Sequence, residues 1–197
     1  MGAREVWLIQ PRRVATRAVA RRLAANMGED VGQTVGYELR FERRVSADTR
    51  LRVMTDGLFL RKLQADPSLA SVGAVVLDEF HERSLNLDLI LAFLKEAREA
   101  LRDDLKVVVM SATMDAGAVS SYLGGCPVVE AEGRIFEVTI DYRRPLSDET
   151  LPQQVCSAVK ALVDSQGDGG DILVFMPGIR SIERAARLLK DGTIGRW

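Results

Sequence analysis

Histidine occurs once in this chain, cysteine twice and proline six times. With His81 as the only imidazole, a histidine-rich zinc centre is excluded. The string His81-Glu82-Arg83-Ser84-Leu85 begins like a zinc-protease helix, but Leu85 stands where the second histidine would be needed. Cys126 and Cys156 lack metal-ligand spacing and need not pair, a usage that fits a reducing cytoplasm. No apolar run approaches the ~20 residues that cross a bilayer. Residues 1–5 have no apolar secretion core, and Val6 stands where acylation of Gly2 would need Ser or Thr. Net charge is also nearly absent, at −1, and selects no partner by itself. What is present is an ordinary globular composition, 47% hydrophobic and 28% charged, which excludes a disordered chain.

The charge is unevenly spread. Residues 1–62 carry thirteen basic and seven acidic side chains, a net of +6, which leaves −7 for the remainder. An electropositive first third can meet phosphates while the whole stays near neutral. Charge alone is read more simply as solvated helix faces.

Strands and helices alternate along the sequence. Residues 6–9 read as a short buried strand closed by Gln10-Pro11, and residues 14–27 as an amphipathic helix ended by Gly28. In that helix Val14, Ala18 and Leu23 are set against Arg13, Arg17, Arg21 and Arg22. Strands are predicted at 34–39, 51–55, 74–77 and 106–110. Helices are predicted at 56–64 with Asp56 as cap, at 85–101 and at 115–123. This alternation predicts an α/β fold with a parallel, doubly wound sheet. After residue 131 the pattern changes. Residues 132–149 read as a linker with a short β-like run at 136–140. A helix at 151–163, a strand at 171–176 and a helix at 181–190 follow. One parallel strand cannot close its own edges, so residues 150–197 are expected to begin a second, truncated domain.

The sharpest local signal is Val75-Val76-Leu77-Asp78-Glu79-Phe80-His81. An apolar run ending in two carboxylates puts both acids at the carboxyl end of a buried strand, where open α/β sheets bind ligands. One acid can help hold a magnesium ion while its neighbour orients a water against a terminal phosphate. Taken alone, Asp78-Glu79 serves equally to cap a following helix, and Ser111-Ala112-Thr113 is most simply a helix start.

Four segments fall in order, each where a strand meets a loop or helix: Gln10-Pro11-Arg12-Arg13, Thr55-Asp56-Gly57, Asp78-Glu79-Phe80-His81 and Ser111-Ala112-Thr113. The series resembles the DEAH-box branch of superfamily 2 RNA helicases. Leu77 to Ser84 with its Phe80, Glu132-Gly133-Arg134-Ile135-Phe136 and Leu173-Val174-Phe175-Met176-Pro177-Gly178 are most similar to the bacterial HrpB-type members. The resemblance covers essentially the whole chain. It implies a RecA-like, P-loop NTPase type of sheet over residues 1–131, the linker at 132–149 and a second RecA-like domain starting at 150. It implies ATP and Mg2+ as cofactors. Asp78 would help hold the metal, and Glu79, also on the metal side, would position the attacking water. His81 would couple the nucleotide to the second domain, and Ser111 and Thr113 would link nucleotide state to strand separation. Arg12, Arg13, Thr55 and Gly57 would line a track for single-stranded RNA or DNA. Elementary chemistry agrees: arginine forks suit phosphate oxygens, and a glycine lets a polymer backbone approach.

The chain also departs from that family. It contains no G-x-x-x-x-G-K-[ST] loop to cradle phosphates. The family's second-domain arginine and glutamine segments would follow Trp197. Ser181 stands where related sequences tend to carry an acid. The expectation is a fragment of an ATP-dependent RNA helicase that hydrolyses ATP poorly or not at all by itself. The alternatives are a non-catalytic nucleic-acid-binding module and a different P-loop motor such as a DNA translocase, which His81 and Pro11-Arg12-Arg13 fit less well.

Overall fold

The computed structural model describes residues 4–112, 116–131, 133, 136–144, 148–166 and 170–191. The chain divides into two compact units, Met1–Ala131 and Glu132–Trp197.

The first unit is built on a six-stranded sheet. In chain order its elements are β1 (Glu5–Gln10), α1 (Arg13–Asn26), β2 (Val35–Leu39), β3 (Glu42–Arg44), β4 (Leu51–Thr55) and α2 (Asp56–Ala65). Then follow β5 (Val72–Leu77), a 3-10 turn (Phe80–Glu82), α3 (Leu85–Ala100), β6 (Lys106–Val109) and α4 (Ala116–Tyr122). The strand order is β3-β2-β4-β1-β5-β6. All neighbours pair parallel except β2 and β3.

Helices cover both faces because successive strand residues alternate sides. Trp7, Ile9, Met54 and Leu77 join Phe59 and Leu63 of α2 and Leu87, Ile90 and Leu94 of α3 in one core. Trp7 meets Phe59 edge-on at 5.9 Å between ring centroids. Leu8, Val53 and Val35 point the other way, onto Ala20 and Ala24 of α1. Each of the larger aliphatic and Phe side chains contributes about 1.5–3 kcal/mol on burial.

The doubly wound α/β sheet expected from the sequence is therefore present, with three local differences. Val14 and Ala18 are exposed, and α1 buries Thr16, Ala20 and Ala24 instead. Small side chains four residues apart let the helix lie close on the sheet. Asp56 is the first residue of α2 rather than its cap, which is Thr55. The third difference is β3, a polar strand with no apolar alternation. It is tied down by side chains: Glu42 accepts hydrogen bonds from Tyr37 Oη and from Arg17 of α1, with Arg17 Nε at 2.9 Å. Those donors hold the Glu42 carboxyl below its ordinary range, and the Glu42 acceptor pushes the Tyr37 phenol up. The turn through residues 45–49 then folds over β2 at Gly36. A Cβ there would stand 2.5 Å from the Arg44 carbonyl oxygen, so only glycine fits.

In the second unit α5 (Leu151–Gln166) packs on α6 (Ile179–Asp191). Cys156, Val159 and Ala185 are buried in the contact, and burial pushes the Cys156 thiol up. The strand expected at 171–176 is not formed, nor is the β-like run at 136–140. Leu173 and Phe175 stay exposed, at 78% and 88%. An apolar run becomes a strand only beside another strand, and among the described residues of this unit there is none.

Candidate functional site

Parallel strands bring their carboxyl ends to one edge of the sheet. The register places Gln10 beside Thr55, Ile9 beside Leu77, and Leu77 beside Val109. The segments leaving β1, β4, β5 and β6 at that edge are the four singled out in the sequence. Thr113 lies outside the described residues; Ser111 is exposed just past β6.

Asp78 directly follows β5. Its backbone N–H donates to the Ile9 carbonyl at 3.0 Å. Its Oδ2 accepts from Gln10 Nε2 at 2.5 Å, and its Oδ1 accepts from the Glu79 N–H at 2.9 Å. Each oxygen keeps a free lone pair for a cation. Glu79 sits in the left-handed region (φ 53, ψ 35), and so does Arg83 (φ 48, ψ 48). A non-glycine residue held there costs about 1–2 kcal/mol. The buried Phe80 ring between them anchors the turn.

His81 bridges two segments. Its Nε2 lies 3.2 Å from Glu79 Oε2, and its Nδ1 accepts from the Ala112 N–H at 3.4 Å. Its two ring nitrogens thus face the Glu79 carboxylate on one side and the loop after β6 on the other. The turn is also stitched to the loop after β6 through Phe80 N–H to the Met110 carbonyl, at 3.1 Å. Asp78, Glu79, His81 and the Ser111–Ala112 backbone thus form one cluster.

The basic residues sit on the neighbouring strand ends. Arg12 is the N-cap residue of α1 without a side-chain cap, and Arg13 opens the helix. Arg12 Nη2 reaches Glu82 Oε1 at 3.0 Å. Gly57 lies in the first turn of α2, and its N–H donates to Asp56 Oδ1 at 2.6 Å. Asp56 Oδ2 accepts from Ser84 Oγ and Asn86 Nδ2, both at 3.3 Å. A Cβ on Gly57 would meet only Asn86 Nδ2, at 3.7 Å, which is ordinary contact. Among the described residues nothing therefore requires glycine at this position.

Part of the positive excess of the first third is internal. Arg17 pairs with Glu42, Arg52 with Glu5 and Glu38, and Lys62 with Glu38. Arg13, Arg22, Arg40 and Arg43 are exposed and make no ion pair among the described residues.

Four residues of this edge were given no role from the sequence. Gln10 orients Asp78, and Glu82 holds Arg12. The two-residue loop Arg40-Phe41 joins β2 to β3. It leaves β2 level with Thr55, since Glu38 pairs with Met54. Phe41 is 81% exposed, with the Arg40 guanidinium 4.9 Å over its ring. An aromatic between charged residues, just past the strand predicted at 34–39, was the available signal. A hollow of about 550 Å³ lined by Arg21, Glu29, Asp30, Tyr37, Glu42 and Arg44 includes none of the sequence-predicted residues.

Among the described residues no three His, Cys, Asp or Glu side chains gather into a metal site. Two adjacent carboxylates suit Mg2+ carried in by a nucleotide, because that ion keeps water and phosphate oxygens as most of its ligands.

No protein-family profile matches the chain. The ATP-dependent RNA helicase HrpB of Escherichia coli (strain K12) is 42% identical over 185 residues, 94% of this chain and 23% of that protein. The ATP-dependent RNA helicase HrpA homolog of Haemophilus influenzae is 40% identical over 182 residues, 92% of this chain and 14% of that protein. The crystal structure of the Escherichia coli DEAH/RHA helicase HrpB superposes with a TM-score of 0.89 at 41% identity. It covers 98% of this chain and 24% of that one. The chain thus spans a quarter or less of the length of these relatives.

Proposed function

The chain belongs to the family of HrpB- and HrpA-type DEAH helicases, and on that premise we propose that it supplies the carboxylate edge and part of the nucleic-acid track of an ATP-dependent RNA helicase. One observation carries the reading: the paired acids and the track residues leave the sheet at one edge, and Gln10 links them by donating to Asp78. Asp78 and Glu79 would hold Mg2+, with Asp78 as the principal ligand. When bound, that ion neutralises charge on the phosphates. Glu79 orients the attacking water and accepts its proton at Oε2, the oxygen now facing His81. His81, Ser111 and Thr113 relay the state of that site. Arg12, Arg13, Thr55 and Gly57 contact the backbone of a single strand, contacts that position without reading sequence. The exposed Phe41 extends the track with a surface on which a base stacks. Residues 150–197 contribute to a second RecA-like domain, joined through 132–149, and the protein works in the cytoplasm. Among the described residues no helix is long and apolar enough to cross a membrane.

The 197-residue chain by itself is expected to turn over little ATP. In this chemistry most of the catalysis is electrostatic stabilisation of the transferring phosphoryl group, and the sequence contains no G-x-x-x-x-G-K-[ST] loop to provide it. Phosphate release from MgATP, with and without single-stranded RNA, tests this. RNA-stimulated turnover abolished by Glu79→Gln would overturn it. RNA binding is expected to persist and to weaken as salt rises.

Gly57→Ala separates binding from folding. Alanine is expected to stabilise α2 by about 0.4–1 kcal/mol, because the site accepts a Cβ and glycine is a poor helix residue. The same methyl should weaken RNA binding by holding the polymer backbone off. A raised urea midpoint together with unchanged RNA affinity would remove Gly57 from the track.

A further inference from the structure

We propose that Glu82 is an internal counter-ion that competes with nucleic-acid phosphate for Arg12. The inference rests on the track reading above, in which Arg12 meets the polymer backbone. Arg12 and Arg13 are neighbours at the start of α1, but their situations differ. Arg13 is exposed and makes no ion pair among the described residues. The Arg12 guanidinium is 3.0 Å from Glu82 Oε1, with side-chain exposures of 73% for Arg12 and 28% for Glu82. An arginine already neutralised by a carboxylate attracts phosphate less. To make a forked contact with a phosphate, Arg12 exchanges one anion for the other. The exchange is feasible because an ion pair whose arginine is 73% exposed is weak, whereas an arginine–phosphate fork makes two charge-assisted hydrogen bonds.

The position of Glu82 gives the exchange a consequence. Glu82 closes the 3-10 turn that carries His81, and its N–H donates to the Glu79 carbonyl at 2.9 Å. Loading Arg12 with phosphate therefore releases a carboxylate from the turn that presents Glu79. By linkage, anything that pulls Glu82 off Arg12 strengthens nucleic-acid binding, and the reverse holds equally. Glu82 is thus a positioning residue acting through Arg12, with no contact of its own to substrate.

The test is fluorescence anisotropy of a labelled single-stranded oligouridylate with the 197-residue chain, across a salt series. Glu82→Gln is expected to tighten binding by about two- to fivefold at low salt. It should also steepen the log K against log salt slope by about 0.7, since Arg12 then arrives with solution counter-ions to release. In an Arg12→Ala background the gain from Glu82→Gln should vanish. Glu99→Gln, the same charge change on α3, should leave affinity unchanged. A Glu82→Gln affinity equal to wild type, a gain that survives Arg12→Ala, or an equal gain from Glu99→Gln overturns the competition while leaving the track in place. Absence of any salt-dependent binding in both wild type and Glu82→Gln overturns the track and the competition together.

Discussion

The double substitution Arg12→Ala, Arg13→Ala is expected to weaken single-stranded RNA binding by roughly tenfold to a hundredfold at low salt. A net hydrogen bond to a charged group contributes about 1.5–3 kcal/mol and about 1.4 kcal/mol is tenfold in affinity, so the loss is that of one full contact at Arg13, to which Arg12, already paired with Glu82, adds little. The salt slope should fall by about 0.7 for each arginine that exchanges solution counter-ions for phosphate. Arg13 should carry more of that slope than Arg12, which already holds Glu82. The fold should not change. Both side chains are exposed, and the role of Arg12 in starting α1 is played by its backbone carbonyl, which accepts from Thr16 N–H at 2.9 Å and Thr16 Oγ at 3.0 Å. Alanine keeps that carbonyl. Anisotropy and urea denaturation on the same samples separate the two effects. An unchanged affinity and slope would place the track elsewhere on the molecule, with the exposed loop Arg40-Phe41 the next residues to replace.

The sheet was legible because its strands are apolar runs ending at Gln-Pro, Thr-Asp-Gly and Asp-Glu, and buried parallel strands need little else. What escaped was held by side chains far apart in sequence. β3 has no apolar face and exists because Glu42 binds Tyr37 and Arg17. Arg102 was assigned no role from the sequence. Its side chain is 11% exposed, and it donates to the carbonyls of Ser68, Leu69 and Val72, fixing the turn into β5. The run at 171–176 has the composition of a strand but no neighbouring strand among the described residues. At the candidate site the sequence identified segments but not their links. Gln10 meets Asp78 across 68 positions, and Asp56 meets Ser84 and Asn86 across 28 and 30. No periodicity encodes such pairs; they follow only once the strand order is known.

Phe80→Ala is expected to destabilise the first unit by about 3–5 kcal/mol, a large share of the ~5–15 kcal/mol that holds a domain folded. Phe80 is 1% exposed and belongs to the same core as Leu77, Leu87 and Leu105. The Arg83 guanidinium lies 5.4 Å over its ring. Alanine would restore an Asp-Glu-Ala-His string, but in this chain it removes the ring that fills the space beneath the turn. The loss should extend past packing. Glu79 and Arg83 hold left-handed backbone angles on either side of the ring, a conformation that persists only while the surroundings fix it. With the anchor gone, the turn can relax and carry the Glu79 carboxylate away from Asp78 and His81. Urea denaturation should show a lower midpoint at an unchanged m value. Hydrogen exchange should speed up at the Glu82 and Arg83 amides, which donate to the Glu79 and Phe80 carbonyls. Phe80→Leu keeps an apolar side chain in the space and should lose less on both counts. A Phe80→Ala midpoint equal to wild type, with the two amides still protected, would show that the turn is held by its backbone bonds to Met110 and the β5 end rather than by the ring.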